Sequence, residues 1–164
     1  MKKNKLMLED VVSTDFLLVG INASTEMYQL AYFINKEVNI NLMRVEHDID
    51  FHYGNAIALF QWYEYYSEEL QSKVHFIANK SFSKEQRLNP TGTLFSEEEK
   101  EQYRVRFLIP ELKTVDYFMK VEEATLDHVN YKSLLYQLNS IKQISTAYQI
   151  DNQKIKTPEN LIFH

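Results

Sequence analysis

Hydrophobic and polar positions follow two periods along this chain, and each change of period marks an element. The unbroken apolar run at 16–21 reads as a first, well-buried strand, closed by Asn22 and Ser24. Ser24 suits an N-cap, and Met27, Leu30, Ala31, Ile34 and Val38 recur at helical spacing, so a helix is predicted over 24–38. Residues 40–51 look extended. In their second half Val45, His47, Ile49 and Phe51 alternate with Glu46, Asp48, Asp50 and His52, and Gly54-Asn55 supplies the turn that follows. Residues 56–66 admit a helical face of Ala56, Leu59, Phe60 and Tyr63. The density of aromatics from Phe60 to Tyr66 favours a strand instead, and apolar residues on both its sides predict a central one.

A polar turn over 67–73 leads to a partner strand at 74–78. Residues 79–103 are polar and read as a loop, mobile over about 81–102, with one helical turn suggested by the capping-box spacing of Ser96 and Glu99. Two more strands are expected at 104–109 and 115–121. In the second, Val115, Tyr117, Met119 and Val121 alternate with Asp116, Phe118 and Lys120. A closing helix is predicted over 128–148 from the stripe Tyr131, Leu134, Leu135, Leu138, Ile141 and Ile144. Thr157-Pro158-Glu159 turns the chain once more, and Leu161-Ile162-Phe163 is expected to dock its end. Strand, helix, five strands, helix is not the alternation of a doubly wound fold. It predicts a polar tail at 1–15 and one α+β domain over 16–164, with a mostly antiparallel sheet of five to six strands and two main helices.

Composition narrows the chemistry. There are 11 Tyr and 10 Phe but only 3 Gly and 3 Pro in 164 residues, which suits packed sheet and removes the glycine-dependent motifs. Gly20, Gly54 and Gly92 are too dispersed for a phosphate loop, a dinucleotide fingerprint or a nucleophile elbow, and no His-Glu-x-x-His pair occurs. With no cysteine there is no disulfide, thiolate nucleophile or cysteine-based metal site. The formal charge of −5 argues against nucleic acid as a partner. Met1 to Lys5 could open a signal peptide, but Leu6-Met7-Leu8 is too short an apolar region, and no apolar run is long enough for a membrane helix. The expectation is a cytoplasmic protein with no membrane partner.

Two clusters invite chemistry. Asp48 and Asp50 form an Asp-x-Asp within an acidic stretch, yet alternate strand residues lie about 6–7 Å apart, too far to share one ion, so a solvated strand face is preferred and no metal or cofactor is expected. Trp62, Tyr63, Tyr65 and Tyr66 could stack bases or form an interaction surface, with core packing and self-association as the plainer readings.

The stretch Ile109-Pro110-Glu111-Leu112-Lys113-Thr114-Val115-Asp116-Tyr117 resembles the signature of the IPExxxVDY family, a group of small bacterial proteins. Ile109, Pro110, Glu111, Val115, Asp116 and Tyr117 match its defining positions. The resemblance implies a bacterial cytosolic protein and assigns no activity, substrate or catalytic residue. Physically, Pro110 has no N–H and ends ladder pairing, and Glu111 and Asp116 would flank a turn, accepting its free N–H groups. The signature is therefore expected to set a strand-to-strand connection.

The leading expectation is a non-catalytic protein-interaction or assembly module, bound to another protein or to itself as a homo-oligomer. The alternative is a small enzyme or ligand-binding domain using Glu111 and Asp116, with Asp48 and Asp50. A third reading, an RNA-associated protein, needs a basic patch from Lys80, Lys84, Arg87, Arg104 and Arg106.

Overall fold

In the computed structural model, which describes residues 16–68, 71–85, 102–122 and 130–163, residues 16–21 are buried one after another. Only a strand covered on both faces needs such a run. It begins β1 (Phe16–Ala23), followed by α1 (Met27–Val38), β2 (Met43–Arg44), β3 (Ile49–Tyr53), β4 (Ala56–Phe60), β5 (Trp62–Ser67) and β6 (Ser72–Ala78). Then come β7 (Lys80–Glu85), β8 (Gln102–Phe107), β9 (Tyr117–Glu122), α2 (Tyr131–Ser140) and β10 (Ile144–Gln149). Six strands form one antiparallel sheet in the order β10-β1-β9-β6-β5-β2, and β3–β4 and β7–β8 are separate hairpins. The fold is α+β.

Each face of the sheet has its own core. On one side Val19, Ile21, Phe76, Met119 and Val121 meet Leu30 and Ile34 of α1 and Leu138 of α2. On the other, Leu18, Trp62, Ile77 and Phe118 are covered by Ala58 and Phe60 of β4, by Leu108, Ile109 and Val115, and by Ile150, Ile155 and Leu161 of the C-terminal segment. Gly20 lets that segment approach, since a Cβ there would lie 3.0 Å from Ile150 Cδ1. Gly54, at φ +58°, opens the β3–β4 hairpin as expected.

Several boundaries depart from the hydrophobic pattern. Helix α1 starts three residues after Ser24, with Glu26 at the cap, while the Thr25 hydroxyl donates to Gln29 Oε1 at 2.6 Å. The extended 40–51 segment is two strands of different sheets, bent at Glu46 and His47. The strand predicted over 56–66 breaks at Gln61, where the chain passes from the β3–β4 hairpin into the main sheet. β4 therefore keeps Ile57 and Leu59 exposed, and β5 is next to the edge rather than central. Within the polar 79–103 stretch, residues 80–85 and 102–107 are the strands β7 and β8. Their inward positions are Ser81 and Ser83, which hydrophobic alternation cannot detect. The tail at 1–15, the central part of the predicted loop with Arg87, Ser96 and Glu99, and residues 123–129 lie outside the described residues.

The largest correction is at 128–148. Helix α2 ends at Ser140, and Ile144–Gln149 forms a strand along β1. Ile141, Ile144 and Ala147 imitate a helical stripe, but the open edge of β1 offers a ladder to Ser145, Thr146 and Tyr148, residues that tolerate either state, and tertiary pairing decides. Asn139 works on both sides of this break. Its Nδ2 donates to the Leu135 and Ala147 carbonyls at 2.7 and 2.8 Å, and its Oδ1 accepts from Ala147 N–H at 2.9 Å. The side-chain amide thus takes the backbone groups that β10 turns away from β1, blunting a sheet edge. Replacing Asn139 by Ala is expected to cost about 1–2 kcal/mol in chemical denaturation. It should also make sedimentation concentration-dependent, by exposing an unblocked edge.

Candidate functional site

The signature residues lie at the junction of three parts of the chain. Strand β8 ends at Phe107, Pro110–Leu112 forms one turn of 3-10 helix with Pro110 at its start, and β9 begins at Tyr117. β8 pairs with β7 while β9 pairs with β1 and β6, so the connection crosses between sheets and is not a hairpin. Val115 also leaves the predicted alternation. It packs with Phe118 in one core, while Tyr117, Met119 and Val121 face the other.

Asn79, fully buried where β6 gives way to β7, holds this loop. Its Nδ2 donates to the Leu112 and Val115 carbonyls at 2.8 and 2.9 Å, and its Oδ1 accepts from Ile109 N–H at 3.0 Å. Its backbone N–H donates to the Asp116 carbonyl, and its own carbonyl accepts from Leu108 N–H.

The signature's polar atoms are occupied in different directions. Asp116 accepts from Ala23 N–H at 3.2 Å and pairs with Lys80 Nζ at 2.6 Å. Glu111 accepts from the backbone N–H groups of Lys156 and Thr157. The Tyr117 hydroxyl donates to the Thr25 carbonyl at 2.8 Å, and burial, with the charges of Glu26 and Asp116, pushes its pKa up to about 12. Glu111 and Asp116 do accept backbone N–H groups, as expected, Glu111 its own among them, but their other backbone donors come from the C-terminal segment and from β1. Among the described residues they share no hydrogen-bond partner. A shallow groove of about 500 Å³ near α1, lined by Thr25, Tyr28, Gln29, Tyr32, Phe33 and Gln143, contains neither carboxylate.

Opposite the helices, the sheet register builds a second polar group that the sequence reading missed. Glu64, His75 and Lys120 stand directly across from one another on β5, β6 and β9. His75, 2% exposed, has Nε2 2.9 Å from Glu122 Oε1 and Nδ1 3.4 Å from Glu64 Oε2, the latter without a hydrogen bond. Its ring stacks on Trp62 at 5.6 Å and meets the edge of Phe163 at 5.3 Å. Lys120 Nζ donates to the Leu161 carbonyl at 2.9 Å and lies 5.2 Å from the rings of Phe16 and Phe163. Burial holds the pKa values of His75 and Lys120 below their ordinary positions, with Glu122 opposing both shifts. For Glu122 burial works the other way, but the His75 hydrogen bond and the Lys120 charge keep it low. The signal for this row was an isolated Lys and an isolated His inside strands whose alternate faces are both apolar.

The other sequence candidates are dispersed. Trp62 is buried, its Nε1 donating to the His47 carbonyl at 2.6 Å; Tyr63 and Tyr65 are half-buried against the helix-side core, and Tyr66 is exposed. The aromatic cluster is thus largely core. Asp48 pairs with Arg44 and Asp50 with His52, and among the described residues no group of His, Asp and Glu is placed to hold a metal ion. Lys80 and Lys84 lie on one face of the β7–β8 hairpin and Arg104 and Arg106 on the other, with Arg106 over the Tyr53 ring at 4.5 Å. The hairpin collects these basic residues but divides them between two faces. No helix among the described residues is long and apolar enough to cross a membrane. No family model matches the chain, and comparison with curated proteins and with solved structures finds no match.

Two measurements test the structural part played by the signature. Asn79→Ala strands one donor and two acceptors in the core and is expected to cost about 3 kcal/mol or more in urea unfolding. For Glu111, burial raises the carboxyl's pKa, but hydrogen bonds from Lys156, its own backbone and Thr157 outweigh burial and bring it below the ordinary value of 4.5. A depressed carboxylate stabilises the fold above its unfolded pKa and loses that contribution as pH falls through the folded one. Glu111→Gln is therefore expected to cost about 1–2 kcal/mol at pH 7. Unfolding curves repeated near pH 3 should show the difference closing.

Proposed function

We propose that the chain is a non-catalytic protein-interaction or assembly module of the IPExxxVDY type, acting in the cytoplasm. One observation carries the reading. Phe82, 70% exposed, stands directly across β7–β8 from Val105, also exposed, with Tyr103 exposed on the same face. On the opposite, inward face of this hairpin Ser81 Oγ accepts from Leu59 N–H of β4 at 3.1 Å, which holds the hairpin in place with Phe82 and Val105 outward. Apolar side chains exposed together on paired strands mark association sites. The carboxylates that an enzyme would use, Glu111 and Asp116, are meanwhile taken up by backbone groups and by Lys80.

The double substitution Phe82→Ser with Val105→Ser tests the proposal. Sedimentation of the purified chain reads self-association, and titration with a purified partner reads binding to another protein. Association is expected to weaken at least tenfold while stability changes by less than about 0.5 kcal/mol, as for exposed positions. Unchanged association in both measurements would remove this face from the function.

A further inference from the structure

Residues 150–163 return across the sheet face opposite the helices without joining a strand ladder. Individual bonds hold them instead. Ile150 N–H donates to the Leu18 carbonyl, Asn152 Nδ2 to Phe16, Asn160 Nδ2 to Leu108, and Lys120 Nζ to Leu161. Segments held this way open at lower free energy than strands of a sheet. The last part, a 3-10 turn over Pro158–Leu161 followed by Ile162 and Phe163, lies on the polar row. Phe163 touches Trp62, His75 and Lys120 at 5.2–5.4 Å, so one ring closes the site above both the imidazole and the ammonium.

We infer that residues 158–163 form a strap over His75, Lys120 and Glu122, and that protonation of His75 releases it. The geometry supplies the coupling. With Nε2 bonded to Glu122, a second proton must go to Nδ1, which has no hydrogen-bond partner in the closed state. That proton would put a second cation beside Lys120, directly across on β9, in a site walled by Trp62 and Phe163. Glu64 faces the same nitrogen from β5 but shares its charge with Lys73 of β6 at 3.4 Å, and Glu122 already serves both His75 and Lys120. No charged side chain faces the imidazole from the described part of the strap. Lifting Phe163 would let water reach the imidazolium.

The sign follows from linkage. Burial keeps His75 below its ordinary pKa in the closed state, so the closed state is favoured above about 6.5 and loses that advantage as pH falls. Between pH 7.5 and 5.5 one such group shifts the opening equilibrium by up to about tenfold.

Hydrogen exchange of the 159–163 amides, corrected for intrinsic rates and read together with fluorescence of Trp62, tests this on the full chain. Protection is expected to fall more than twofold, and by at most about tenfold, from pH 7.5 to 5.5 while β1 and β9 amides keep theirs, and His75→Gln should reduce the change to less than twofold. Equal protection at both pH values, or an equal response in His75→Gln, would overturn the inference. Should His75→Gln not fold, Phe163→Ala replaces it. That variant is expected to lack strap protection already at pH 7.5, and retention of wild-type protection and pH response would defeat the proposal equally.

Discussion

The buried amide of Asn79 is the constraint on which the rest of the structure depends. The chain must leave the main sheet after β6, form the β7–β8 hairpin, and return to pair with β6 again as β9. Exit and return therefore meet, and backbone groups that enter no ladder are buried at the meeting point. Asn79 bonds five of them, from Leu108, Ile109, Leu112, Val115 and Asp116, through its side chain and its own backbone. Unpaired, such groups would each cost on the order of 1–3 kcal/mol. With the loop so fixed, Asp116 reaches Ala23 at the end of β1, Tyr117 reaches Thr25 just past it, and Glu111 reaches the C-terminal segment. The signature is thus a joint through which the sheet, the second hairpin and the chain's end are set against one another.

The same device recurs. A chain with 3 Gly and 3 Pro has few residues that pre-form tight turns, and its asparagine amides bond the loops instead. Asn35 bonds both backbone groups of Leu42, as Asn139 does for Ala147. Asn22, Asn152 and Asn160 each donate to a distant carbonyl, of Thr114, Phe16 and Leu108. An amide offers a donor and an acceptor in one plane, as a peptide unit does, so it can take the place of a missing strand. Association through β10 is discouraged at Ala147 for that reason, whereas Phe82 and Val105 on the second hairpin are left outward.

This explains what was legible in the sequence. Strands whose burial is mainly apolar, β1, β6 and β9, and the body of α1 follow from hydrophobic period, with His75 and Lys120 the exceptions. Strand β7 does not, because its inward residues are serines, and β10 does not, because its spacing fits a helix until β1 offers a partner. At the signature, the end of pairing at Pro110 and the acceptor role of the carboxylates were readable from local chemistry. Their partners were not, since Ala23, Lys156 and Thr157 lie tens of residues away in sequence. The aromatic surplus was legible as composition only: burial assigns Trp62 to the core and Phe82 to the surface, though both are strand residues with aromatic side chains.

Lys120 shows how a local violation of pattern organises a distant segment. Its position on β9 faces Leu18 on β1 and His75 on β6, where an apolar residue would bury equally well and avoid the cost of desolvating an ammonium. An apolar contact is non-directional, however, and would accept the C-terminal segment in several registers. The ammonium needs acceptors and π faces at defined places. It finds them in the Leu161 carbonyl, in Glu122, and in the rings of Phe16 and Phe163. The observed placement of residues 158–163 supplies the carbonyl and the second ring together, so the buried cation favours it. The His75 ring, enclosed by the same Phe163, is then drawn into the selection. Stability given up at one strand position is converted into a fixed register for a segment that has no ladder of its own.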